Sequence, residues 1–167
     1  MQGPAVLALL VAIFLQIGVN FANDYSDGIR GTDAHRVGPR RLTASGRVNP
    51  ALVRNIAFVF FGLAVAAGLG LTVWKQIWWL PLVGITCVAA AWFYTGGKRP
   101  YGYMGLGEVS VFVFFGLVEV LGTTYVLVKS IWLEPILLGV AHGLFACAVL
   151  LVNNIRDRET DIVAGKR

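Results

Sequence analysis

Oxygen-bearing side chains recur at two places in this chain. Asn20, Asn23, Asp24 and Asp27 close its first apolar run, and Asn153, Asn154, Asp157 and Asp161 close its last. On a helix, Asn20, Asp24 and Asp27 fall at i, i+4 and i+7, and Asn153, Asp157 and Asp161 at i, i+4 and i+8, so each set is expected to share one face. Hard oxygen donors in this number suit magnesium or calcium far better than zinc or copper. Magnesium keeps part of its water shell and is commonly shared between a few carboxylates and phosphate oxygens, so the acids call for a phosphorylated ligand. A lone acid at a helix end is ordinarily a solvated cap. Two amide-and-acid arrays, each leaving an apolar run beside a basic segment, weigh against that reading and for one shared metal-linked site.

Cations are placed to complete it. Gly38-Pro39-Arg40-Arg41 follows the first array, and Tyr94-Thr95-Gly96-Gly97-Lys98-Arg99-Pro100-Tyr101-Gly102-Tyr103 forms a glycine-rich, aromatic and cationic loop. Arginine grips phosphate through a planar fork, lysine as a mobile point charge, and glycine lets the backbone come close. Gly28 and Gly31 are expected to end the first helix and let Asp33 fold back.

The elements that carry these residues are membrane spans. The 167 residues are 57% hydrophobic and only 14% charged, with mean hydropathy +0.71, whereas a soluble domain carries about 25% charged residues. Five runs approach the roughly 20 apolar residues a bilayer core demands, at about 4–22, 51–73, 77–94, 109–128 and 131–152. They lack the short alternating pattern of barrel strands, so the expected fold is all-α, a multi-pass transmembrane helical bundle. Twelve of the 14 basic residues fall in the connectors after the first, third and fifth runs, and only Lys75 and Lys129 in the others. The positive-inside rule then puts both acidic arrays on the cytoplasmic side and the amino terminus outside. The net charge of +5 describes one face of a membrane protein and suits anionic head groups or an anionic substrate rather than nucleic acid. The first run lacks a basic leader and a small-residue cleavage site, which reads as a retained span.

Other residues are read as structural. Cys87 and Cys147 sit within runs and are expected as buried thiols. His142, inside Gly139-Val140-Ala141-His142-Gly143, is expected to make a buried hydrogen bond where small residues let helices approach. Glu119 is expected to face the bundle interior. Gly68-Leu69-Gly70 and Gly105-Leu106-Gly107 lack the strand-to-helix context of a nucleotide-binding turn. A cation transporter is the non-enzymatic alternative, but it would more often place its charges at the midplane than at one margin.

Taken together, Asn23-Asp24-Tyr25-Ser26-Asp27-Gly28 through Asp33, Arg36-Val37-Gly38-Pro39-Arg40-Arg41, Tyr94-Thr95-Gly96-Gly97-Lys98 and the 153–161 segment resemble the intramembrane aromatic prenyltransferases of the UbiA superfamily. Within it, the similarity is greatest to the branch that prenylates 1,4-dihydroxy-2-naphthoate in menaquinone biosynthesis, and it extends over essentially the whole chain, residues 1–167. The resemblance implies about nine helices around a central cavity, of which five are here, the first family helix and those after the second array being absent. It implies a bacterial plasma-membrane enzyme whose magnesium, held by Asn20, Asp24, Asp27, Asn153, Asp157 and Asp161, grips a polyprenyl diphosphate. Arg40, Arg41, Lys98, Arg99, Asn23 and Asn154 would assist on the diphosphate. Tyr94, with Tyr101 or Tyr103, would shield the allylic cation. Loss of the acceptor's carboxylate would accompany transfer. Another aromatic acceptor, such as a hydroxybenzoate or a tocopherol precursor ring, is the alternative within the family. No residue declares itself the acceptor's base, Asp33 being the one candidate.

Overall fold

A computed structural model describes residues 2–33, 41–163 and 165. Among these there are five helices and no strand: α1 Gln2–Arg30, α2 Pro50–Lys75, α3 Leu80–Phe93, α4 Gly107–Val128 and α5 Leu133–Val163. Four are long and apolar enough to cross a membrane. The third expected span is shorter than its apolar run: α3 has 14 residues, about 21 Å of helix. The chain turns through Ile77 to Trp79 before it starts, and the Gly96-Gly97 loop follows it.

Local chemistry sets the ends. Asn49 caps α2 by accepting the Ala51 amide at 2.9 Å, with Pro50 at the first helical position, where its missing amide costs nothing. Gly31, with φ of +77°, closes α1 in a left-handed conformation that a side chain would resist. Gly28 does not end the helix as expected. It lies inside α1, where a Cβ would stand 2.4 Å from the Thr43 side chain, so its role is to let the following loop lie against the helix. Both arrays remain helical well past the apolar runs, which ended near 22 and 152.

Packing divides the molecule into two tight groups. Ala22 of α1 meets Ala57 and Phe61 of α2, with Val88, Ala91 and Trp92 of α3 against them, and Gly18 admits the Phe61 ring. On the other side α4 meets α5 backbone to backbone: a Cβ on Gly116 would lie 2.6 Å from the Gly143 Cα and 2.8 Å from the Gly139 carbonyl oxygen. The small-residue stretch around His142 thus allows the close approach its sequence promised. Residues Phe112–Val118 of α4 form a π-helical segment, and the His142 Nδ1–H donates to the Phe115 carbonyl at 2.9 Å, although His142 is exposed rather than buried. A second cluster, Leu71, Ile77 and Val126 with Leu7, Val11 and Tyr125, ties the two groups at the end remote from the acids. Bulky residues such as Leu82, Trp78 and Phe145 point outward, as suits a surface solvated by lipid chains.

Candidate active site

Between the two groups lies a cavity of about 1480 Å³. Its wall is apolar along α1, α3 and α4, and one end is polar. That polar end receives Asn20, Asn23 and Asp27 from α1 and Asn153, Asn154, Asp157 and Asp161 from α5. The two arrays therefore open onto the same space. Arg41, Arg156 and Arg158 line it with them, as do Tyr94, Tyr101 and Tyr103.

The first array is built into the fold. Asp24 and Asp27 are each only 5% exposed. Asp24 lies at the edge of the helical stripe and is not part of the cavity wall. Its two oxygens accept the Leu42 and Thr43 amides, both at 2.9 Å, which fastens the loop that carries Arg41. The expected single face of Asn20, Asp24 and Asp27 thus divides, because the loop amides of Leu42 and Thr43 take Asp24. Asp27 faces the cavity, and its Oδ1 accepts the Tyr103 hydroxyl at 2.7 Å. Tyr103 in turn accepts from Thr32 at 2.8 Å. Burial holds the Tyr103 hydroxyl above the ordinary phenol range, so at neutral pH it is a donor to the carboxylate. Asn23 accepts from the Thr95 hydroxyl at 2.8 Å. The Arg30 guanidinium donates to the Thr95 and Gly97 carbonyls and lies 5.5 Å over the Tyr103 ring. These contacts join residues about 70 apart in sequence.

The second array is a solvated helix end. Arg156 is bidentate to its neighbour Asp157, both bonds at 2.7 Å. Asn154 donates to Glu108 Oε1 at 2.9 Å, and Thr160 returns to the Asp157 carbonyl. Tyr94 stands between the arrays: its hydroxyl is within electrostatic reach of Glu108, Asp27 and Asp161, and its ring meets Tyr101 edge-on at 5.5 Å.

Several expected residues lie elsewhere. Lys98 and Arg99 are exposed on their loop and do not line the cavity, since the loop's glycines and carbonyls turn inward to Arg30 and leave the two cations outside. Arg40 falls outside the described residues, as does Arg36. Asp33 lies off the cavity with its Oδ2 at 3.9 Å from Arg41 Nε, which weakens it as the acceptor's base. Glu119 does line the cavity. Arg30, Thr32, Thr95, Glu108 and Arg156 were not singled out by spacing. A polar or basic residue one turn beyond each array, and a tyrosine or threonine in the aromatic loop, was the available signal.

A divalent ion fits this donor set in one particular way. Among the described residues no three carboxylate, histidine or cysteine side chains converge on a single metal position, so no all-protein cage is formed. Carboxylate and amide oxygens from two helices that line one cavity, with Arg41 Nε buried and lacking a hydrogen bond, match an ion completed by phosphate oxygens.

The family described as "UbiA prenyltransferase family" matches residues 3–167. The chain is 51% identical over 162 residues to the 1,4-dihydroxy-2-naphthoate octaprenyltransferases of Mycobacterium leprae and Mycobacterium tuberculosis, covering 97% of this chain and 55% of each relative. It is 40% identical to the Escherichia coli protein of the same name, covering 97% and 54%. The chain spans about half the length of the curated relatives it matches. No solved structure matches it.

Proposed function

The chain belongs to the UbiA prenyltransferase family, and from that premise we propose that it serves to transfer a polyprenyl group from polyprenyl diphosphate to 1,4-dihydroxy-2-naphthoate, with loss of the acceptor's carboxylate, giving demethylmenaquinone. The observation that carries this reading is the single cavity into which both acid-and-amide helix ends open, polar at that end and apolar beyond it. A diphosphate belongs at the polar end and an isoprenoid tail along the apolar wall. The relatives' names supply the acceptor class, which the shape of the wall does not.

In this reading magnesium, when bound, neutralises charge gathering on the departing diphosphate. Asn20, Asp27, Asn153, Asp157 and Asp161 hold it, with Asp24 at the back of the site fixing the Arg41 loop while each of its oxygens keeps a further lone pair. Asn23, Asn154, Arg41 and Arg158 face the diphosphate oxygens. Lys98 and Arg99 join them only by movement of their loop. Tyr103 orients Asp27, and Thr95 orients Asn23. Tyr94 and Tyr101 turn aromatic surface toward the allylic carbon, an attraction of roughly 0.5–2 kcal/mol for a cation, and keep water from it. The excess of basic residues at the acid-bearing end supports a plasma membrane orientation with the site on the cytoplasmic side.

Membranes carrying the full gene product test the proposal with a radiolabelled polyprenyl diphosphate. Product is expected with dihydroxynaphthoate and magnesium and is expected to vanish on chelation. Equal product with 4-hydroxybenzoate would refute the acceptor, and undiminished transfer after chelation would refute the metal.

A further inference from the structure

Glu108 is a cavity residue that the reading above leaves without a task. It sits at the start of α4, beside the second array, and is partly buried. Its Oε1 accepts the Asn154 amide at 2.9 Å, and its backbone carbonyl receives the Cys147 thiol at 3.2 Å. Oε2 makes no hydrogen bond among the described residues. Two hydroxyls of the same wall are engaged with each other and with backbone: Tyr101 donates to the Ala90 carbonyl at 2.7 Å and shares a 3.1 Å contact with Ser110. On its other side stands Tyr94, close enough to feel the Glu108 charge more than that of Asp27 or Asp161, with its hydroxyl oxygen 3.0 Å from where a Cβ on Gly107 would stand.

A carboxylate oxygen that faces the cavity without a hydrogen bond is an acceptor for a ligand's proton donor. A diphosphate offers none and repels it. Of the two substrates proposed, only the aromatic acceptor carries hydroxyl donors. We propose that Glu108 receives a phenolic hydroxyl of the acceptor and so sets which way the ring faces the allylic carbon. This inference rests on the prenyl-transfer reading. The same charge turns the acceptor's carboxylate away from α4. Glu108 is a specificity residue in this account, and Asn154 fixes its rotamer.

The test uses Glu108→Gln in the full gene product, assayed in membranes with protein level measured by immunoblot. Glutamine keeps a carbonyl oxygen for Asn154 but presents an amide donor where Oε2 was. The KM for dihydroxynaphthoate is expected to rise by about 10- to 100-fold, the range for a hydrogen bond to a charged group, with the KM for polyprenyl diphosphate and the magnesium half-saturation unchanged. Glu108→Asp is expected to recover part of the loss. Wild-type protein is expected to prefer the free acceptor over its mono-O-methyl ethers by at least about tenfold, and the glutamine variant to lose most of that preference. A wild-type protein indifferent to methylation overturns the proposal without recourse to any variant. An unchanged acceptor KM in Glu108→Gln overturns it too. A shift in magnesium half-saturation makes Glu108 a metal ligand instead, and a parallel rise in both KM values makes it a packing residue. Wild-type membranes that transfer no prenyl group remove the premise and this proposal with it.

Discussion

The two acid-and-amide arrays look alike in sequence and are held in opposite ways. The first is buried and cross-linked: Asp24 to the loop at 42–43, Asp27 to Tyr103, Asn23 to Thr95, Arg30 to two carbonyls. Among the described residues, the second makes contacts along its own helix and one bond to Glu108. A network that joins residues far apart in sequence fixes geometry at the cost of adaptability, whereas pairs between neighbours on an exposed helix can rearrange at little cost. The first array is thus a platform, and the second is the side expected to adjust.

The largest effects should come from the acids facing the cavity. Asp27→Ala and Asp157→Ala are each expected to lower kcat by about 1000-fold or more, as loss of several kcal/mol of charge stabilisation requires. Retained turnover in either would break the shared site. Asp24→Ala should also abolish turnover, but with a second signature that Asp157→Ala lacks. Two amides, that of Thr43 buried, lose their acceptor, about 2 kcal/mol, so the 41–49 segment should be cut faster by protease. Equal protease resistance in the two variants would erase the contrast between platform and adjustable side. Tyr103→Phe removes one hydrogen bond to a carboxylate and is expected to cost about tenfold in kcat/KM, with protein level unchanged. The smallest effect is expected at Arg156. Its pair with Asp157 competes with a metal, so Arg156→Ala should lower the magnesium half-saturation by about twofold, in keeping with the small worth of an exposed pair. A rise instead would mean that Arg156 holds the diphosphate.

Hydropathy made the bundle and the shared end of both arrays legible, because an apolar run of bilayer length has few other fates. Helical spacing also puts Asn153, Asp157 and Asp161 together, and all three line the cavity. It failed at Asp24, where a loop 18 residues on offers two backbone amides, and at Gly28, whose use lies in the approach of Thr43. The contacts of Thr95 and Tyr103 with α1 span more than 70 residues and have no local periodicity to betray them. Lys98 and Arg99 carried the right charge for a phosphate but lie on the outer side of a loop whose inward surface is backbone. The π-helical turn of α4 was equally silent, as its sequence is one more apolar stretch.

The glycine seam between α4 and α5 has a mechanical consequence. With Gly116 set against the backbones of Gly139 and Gly143, and the Phe112 ring against Gly143, these two helices form a single stave. The α1–α2 pair, locked through Gly18 and Phe61, is a second. The two staves touch again at the Leu71–Ile77–Val126 knot at the far end, so separating them there would break the most buried packing they share.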